Sequence, residues 1–132
     1  MKKKIYYHDT DHSGAVYHAN YLKYLEEARS EYLEELGFGV KRLLEGGVGF
    51  AVRRQEMEYK FPAFYDDTID IKIRIKEFTP YRIVFAYTLH NQEGRLIGKA
   101  ETDLVSVGRD LKLTELPAEL KAALEKEITN KD

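Results

Sequence analysis

The chain contains no cysteine and no tryptophan. Without cysteine there is no disulfide, no thiolate nucleophile and no thiolate metal ligand. Long apolar runs are missing too. The N-terminus, Met1-Lys2-Lys3-Lys4-Ile5-Tyr6-Tyr7-His8-Asp9, returns to charge too soon for a signal peptide, and no window approaches a membrane span. A cytoplasmic protein is the expectation. An excess of one charge is also absent: 21 Lys and Arg against 23 Asp and Glu leave a formal charge of −2. No broad positive field is available to hold a phosphate backbone, so nucleic acid is not an expected partner. Only three prolines occur in 132 residues, and no linker, repeat or low-complexity tract interrupts them. Residues 1–132 therefore read as one domain, large enough for a real core and too small for two.

The patterning is mixed. Lys4 to Tyr7 suits a short first strand, followed by the polar loop His8-Asp9-Thr10-Asp11-His12-Ser13-Gly14. From about Asn20 to Leu36 the period is helical: Tyr21, Leu22, Leu25, Ala28, Tyr32 and Leu36 recur at three- and four-residue spacing. Gly37 and Gly39 end that helix, and a short helical segment, Lys41 to Leu44, stops at Gly46-Gly47. The period then becomes two. Met57, Tyr59 and Phe61 alternate with charge, and Ile69, Ile71, Ile73 and Ile75 face one way along a strand from Thr68 to Phe78. Arg82 to His90 and Leu96 to Val107 form a hairpin through Asn91-Gln92-Glu93-Gly94. Gly98, Ala100 and Thr102 on its last strand would let a helix lie close. A final amphipathic helix is expected from Pro117 to Ile128. The order implies an α+β fold, with one long helix across one face of an antiparallel sheet.

Candidate chemistry concentrates between His8 and His18, which holds three of the four histidines and two aspartates. A metal site is conceivable from the residue types, yet no pair has helical ligand spacing, so no metal is expected. Carboxylate catalysis is the second reading. A loop ending at a helix N-terminus sets unpaired N–H groups beside its own side chains, and such groups can hold an oxyanion. Asp9 or Asp11 would supply the carboxylate, with the Tyr17 to Asn20 backbone as donor and Gly14 permitting the tight turn. An ordinary turn with local side-chain bonds and Asn20 as a helix cap has the same composition.

The segment Tyr7-His8-Asp9-Thr10-Asp11-His12-Ser13-Gly14-Ala15-Val16-Tyr17-His18-Ala19-Asn20-Tyr21 resembles the signature of the 4-hydroxybenzoyl-CoA thioesterase family, and within it the acyl-CoA branch associated with the Tol-Pal system. Leu22 to Arg29 continue the likeness, and Pro62 to Asp67 resemble the turn into the family's central strand. The resemblance implies a hotdog fold, a curved antiparallel sheet wrapped around one long central helix. It implies hydrolysis of an acyl-CoA thioester without a cofactor. Asp11 falls on the family's catalytic aspartate, and the carbonyl-polarising amides fall near His18 and Ala19. His18, typical of the acyl-CoA branch, is implied to position the thioester or water, with a capping or packing role as its alternative. Gly14, Tyr7 and Asn20 would support the loop. Asp9 is expected to brace it, and His8 and His12 to be solvated. A second hotdog branch uses a helical glutamate, but Glu26, Glu27, Glu31, Glu34 and Glu35 all fit a solvated face.

The likeness weakens from Lys76 to Arg82, where some relatives are more basic near the CoA phosphates. Arg82, Arg109 and Lys76 are the candidates for those contacts, with Lys112, Arg53 and Arg54 behind them. The family resemblance implies a homodimer or a tetramer of two dimers, with two sheets joined edge to edge and the acyl site between subunits. Alternatives are a thioesterase for an aromatic ester, hydroxybenzoyl- or dihydroxynaphthoyl-CoA, and a non-catalytic module binding acyl-CoA or an acyl carrier.

Overall fold

In a computed structural model describing residues 1–129, the chain forms β1 (Lys2–Lys4), a 3-10 turn at Tyr7–Asp9, α1 (Asn20–Glu35), α2 (Val40–Glu45), β2 (Gly49–Tyr59), β3 (Thr68–Thr79), β4 (Arg82–His90), β5 (Leu96–Val107) and α3 (Ala118–Thr129). The strands make one antiparallel sheet in the order β1-β3-β4-β5-β2. Period-two alternation explains the centre of it. Ile69, Ile71 and Ile75 of β3, Ile83, Phe85, Tyr87 and Leu89 of β4 and Ala100 and Leu104 of β5 are buried in one cluster with Tyr24, Leu25, Ala28 and Leu33 of α1. This is the hotdog architecture. Among the described residues no helix is long and apolar enough to cross a membrane.

Four elements differ from the sequence expectation. The first strand lies at Lys2–Lys4, not Lys4–Tyr7, because the Asp9 carboxylate accepts the Tyr6 N–H at 2.8 Å and turns the chain into the 3-10 segment. β2 begins eight residues before Met57, at Gly49. As an edge strand it is paired only with β5 and is largely exposed, and a bulge between Val52 and Arg54 breaks its alternation, so Arg53-Arg54-Gln55-Glu56 reads as polar chain. The sheet also carries a second helix. Leu120 and Leu124 of α3 are fully buried in the same core, and the Tyr32 hydroxyl of α1 donates to Glu127, so α3 lies beside α1. Finally, the small residue at Gly98 serves strand against strand. A Cβ there would sit 2.5 Å from the Glu58 carbonyl oxygen of β2.

Candidate active site

The loop between β1 and α1 is built by backbone bonds at both ends. Thr10 and Val16 face each other across an antiparallel bridge, and the Asp11 N–H donates to the Ala15 carbonyl at 2.9 Å. Gly14 closes the tip with a left-handed φ of +86°, and its N–H donates to the Asp11 carbonyl at 3.0 Å. The loop is then tied to the segment after β2: Ala15 bridges Phe64, and the Val16 N–H donates to the Ala63 carbonyl at 2.9 Å. The exposed Tyr7 contributes through its carbonyl, which accepts the Thr10 N–H at 3.1 Å and the Thr10 hydroxyl at 2.7 Å.

Asp9 is buried and is the brace. Its Oδ2 caps Tyr6, and its carbonyl accepts the Tyr17 N–H at 3.0 Å and the Asn20 side-chain Nδ2–H at 2.9 Å. Asn20 is therefore not the helix cap. Ala19 occupies that position, without a side-chain cap, and Asn20 locks the loop to the first turn of α1 instead. His8 is exposed and stacked on Tyr6, and His12 is exposed. The Tyr24 phenol beneath the loop is pushed well above its ordinary range by burial and then by the Asp9 carboxylate.

The Asp11 side chain folds back on its own loop. Oδ1 accepts the Ser13 hydroxyl at 2.5 Å and the Ser13 N–H at 2.8 Å. These two bonds, the hydroxyl first, hold the Asp11 carboxyl below its ordinary 3.8, with smaller help from the His12 and His18 rings. Asp11 is exposed and ionised at neutral pH. Seven residues on from Asp11, at His18, the approach to α1 begins, and the helix starts uncapped. The Tyr17 and Asn20 amides are bonded, whereas among the described residues the His18 and Ala19 N–H groups donate to no acceptor. The helix dipole adds partial positive charge at that point. The exposed His18 ring lies 4.6 Å from the Tyr17 ring between centroids, and the His18 carbonyl accepts the Tyr59 hydroxyl of β2 at 3.3 Å. An ionised carboxylate and free amides that meet the same substrate can divide the work, the carboxylate attacking or deprotonating at one atom while the amides hold charge on its neighbour. Among the described residues no cluster of three His, Asp or Glu side chains is arranged to hold a metal ion.

Two contributors were not singled out from sequence. Ser13 was legible in principle, since an aspartate two residues before a serine forms this local turn. Tyr59 carries no signal, lying 41 residues from His18 in the chain. The expected CoA-phosphate cations do not join Asp11 within one chain. On the sheet face turned away from α1, Lys76 bonds the Glu101 carboxylate at 2.9 Å. Asp103, also there, takes Arg53 at 2.6 Å and Arg82 at 3.2 Å. Arg109 follows β5 and reaches the Glu45 carbonyl at 3.5 Å, at the Gly49 end of β2, roughly 30 Å of strand from the Tyr59 end.

The thioesterase-like superfamily matches residues 6–124. The acyl-CoA thioester hydrolase YbgC of Escherichia coli is 38% identical over 104 residues, covering 79% of this chain and 78% of its own. The acyl-CoA thioesterase YbgC of Haemophilus influenzae is 35% identical over 123 residues, with 91% and 89% covered. The crystal structure of the DHNA-CoA thioesterase from Staphylococcus aureus superposes with a TM-score of 0.94 at 26% identity, covering 98% of this chain and 89% of that one. The chain belongs to the thioesterase-like superfamily, and it is an enzyme of the thioester hydrolase class.

Proposed function

We propose that this enzyme hydrolyses acyl-CoA thioesters to the free acid and CoA, with Asp11 as the reacting carboxylate. The reading is supported by an ionised Asp11 fixed by Ser13 in the same short loop that ends in the unbonded His18 and Ala19 amides at the uncapped start of α1. With Oδ1 held by Ser13, Oδ2 is the oxygen left to react. It either attacks the thioester carbonyl carbon, giving an acyl anhydride that water opens, or takes a proton from the water that attacks. In both routes the His18 and Ala19 N–H groups carry the oxyanion, and the C–S bond breaks with CoA leaving as thiolate. His18, beside the same amides, positions the thioester or the water.

The reading extends to the acyl-CoA branch associated with the Tol-Pal system, supported by the Tyr17-His18 pair and by the likeness to the YbgC acyl-CoA thioesterases. The second reading, an aromatic ester, is favoured by the likeness to the DHNA-CoA enzyme. The assembly is a homodimer, alone or doubled into a tetramer, because β2 leaves one edge of the sheet unpaired. An antiparallel β2–β2 contact would bring the Arg109 end of one copy to the Asp11 loop of the other, supplying phosphate-binding cations that one chain keeps apart. The location is cytoplasmic, where CoA esters occur.

The test is thiol release from acyl-CoAs running from acetyl to palmitoyl, plus two aromatic esters, for wild type and Asp11→Asn. Turnover in the wild type should fall by roughly two or more orders of magnitude in Asp11→Asn, with binding kept. Near-full turnover in the variant sinks the mechanism. Binding without release by the wild type would point to a carrier or binding module.

A further inference from the structure

α1 and β2 meet at both ends, in opposite order. At one end Tyr59 bonds the His18 carbonyl, and at the other Arg29 and Leu33 share a groove with Phe50 and Val52. The lengths agree: Ala19 to Leu33 advances about 21 Å as helix, and Tyr59 to Val52 about 23 Å as strand. A line drawn along α1 from the unbonded amides therefore ends at the groove. The groove encloses about 390 Å³, and Leu33, Leu43, Val48, Phe50, Val52 and Leu104 make it mainly apolar.

Among the described residues one cation lines it, the half-buried Arg29. Its hydrogen bond to the chain is a long one, 3.5 Å from Nη1 to the Tyr87 hydroxyl, and among the described residues it has no carboxylate within ion-pair distance. Glu26, one turn earlier, lines the same groove but is exposed and unpaired with it. Behind Arg29 a polar chain runs across β4, β5 and β2 and ends on a backbone carbonyl. Tyr87 donates to Thr102 at 2.9 Å, Thr102 to Gln55 at 2.7 Å, and Gln55 to the Glu101 carbonyl at 2.9 Å. The Tyr87 proton is thus committed, and its oxygen can only accept from Arg29. This chain orients the guanidinium without neutralising it. A half-desolvated cation without a counter-charge is costly, and an acceptor oxygen arriving in the groove relieves that cost.

We propose that Arg29 is a specificity-determining residue at the distal end of the acyl site, selecting acyl groups that end in an oxygen function, a carboxylate or a hydroxyl. The inference rests on the thioesterase reading above. Ten residues of helix separate Ala19 from Arg29, about 15 Å, so an extended chain of intermediate length reaches it and an acetyl group does not.

The experiment compares CoA esters of matched intermediate length ending in methyl, hydroxyl or carboxylate, with wild type, Arg29→Met and Arg29→Lys. Wild type should favour one or both oxygen-ended esters over the methyl-ended one. Arg29→Met should lower that ratio of kcat/KM values roughly tenfold to a hundredfold, the range for a hydrogen bond to a charged group. Arg29→Lys should recover the carboxylate ester more than the hydroxyl ester, since it restores charge but not the guanidinium fork. A wild type that favours the methyl end, or an Arg29→Met that slows all three esters equally while losing thermal stability, overturns the proposal and makes Arg29 a packing residue. Turnover of short or aromatic esters alone would overturn it too, with the thioesterase reading intact. Release from no ester would end both.

Discussion

Replacing Gly98 by alanine tests how the edge strand is held against the sheet. Gly98 pairs with Tyr59, and an added Cβ would lie 2.5 Å from the Glu58 carbonyl oxygen and 2.8 Å from the Met57 methyl. The methyl can swing aside. The carbonyl belongs to the ladder between β2 and β5 and cannot move without taking the strand with it. Overpacking of this kind costs about 1–3 kcal/mol, and a backbone obstacle belongs in the upper half of that range. With an unfolding entropy near 2.1 cal/mol/K per residue, 132 residues give about 0.28 kcal/mol/K. A loss of about 2–3 kcal/mol then lowers Tm by about 7–11 °C, read by calorimetry or circular dichroism. Thioester turnover should fall as well, because the displaced end of β2 carries the Tyr59 hydroxyl that bonds the His18 carbonyl. A Gly98→Ala protein melting within about 2 °C of wild type would show that β5 and β2 separate freely, and the close-approach argument would be wrong.

The Ser13 grip gives a pH prediction. Because the Asp11 carboxyl is held below 3.8, its charge survives acidification through that value and is lost only as pH falls through the lower, folded-state position. Ser13→Ala removes the larger of the two causes, so the acid limb of kcat/KM should move up toward the ordinary carboxylate range; an unmoved limb would mean another group titrates there. For α3, Leu124 is fully buried, and Leu124→Ala should cost about 2–5 kcal/mol in denaturant unfolding. A change below about 1 kcal/mol would show that α3 packs on the sheet without supporting it.

The central sheet was legible because β3, β4 and β5 each have one buried face and sharp turns, so the two-residue period and Asn91-Gln92-Glu93-Gly94 mark their limits. β2 was half invisible for the opposite reason. An edge strand with a bulge has no consistently buried face, and its charged middle resembles loop. α3 looked like a closing helix, but no local pattern says which surface it covers; that depends on Tyr32 and Glu127, far apart in the chain. The loop residues were visible as a group: Gly14 bonds the Asp11 carbonyl, and the His18 ring is near enough to act on the Asp11 carboxylate. Asp9 as the brace followed from the resemblance, but the part played by Asn20 did not. Asn20 fits a cap by composition, yet a cap requires extended backbone before the helix, and Ala19 is already helical there. The cations could not be placed from sequence at all, since Lys76, Arg53 and Arg82 found their carboxylates across neighbouring strands.

The same Ser13 bonds that fix Asp11 weaken it as a base. A carboxylate held below its ordinary range is fully ionised at neutral pH, but it has less driving force to take a proton from water. Attack on the carbonyl carbon depends less on proton affinity and more on a lone pair held at the right place. Oδ1 is committed to Ser13, so Oδ2 has a defined position relative to the start of α1. Under the proposed reaction most of the acceleration must then come from stabilising the oxyanion, where a single well-placed donor contributes about 2.7–4 kcal/mol. An uncapped helix start provides two such donors and the dipole behind them, because no side chain of the first turn competes for the His18 and Ala19 amides. The missing cap costs the helix some stability. Under the proposed reaction what it leaves is the electrostatic half of the site, and a weakly basic carboxylate acting as nucleophile is then a consistent partner for a thiolate that leaves without protonation.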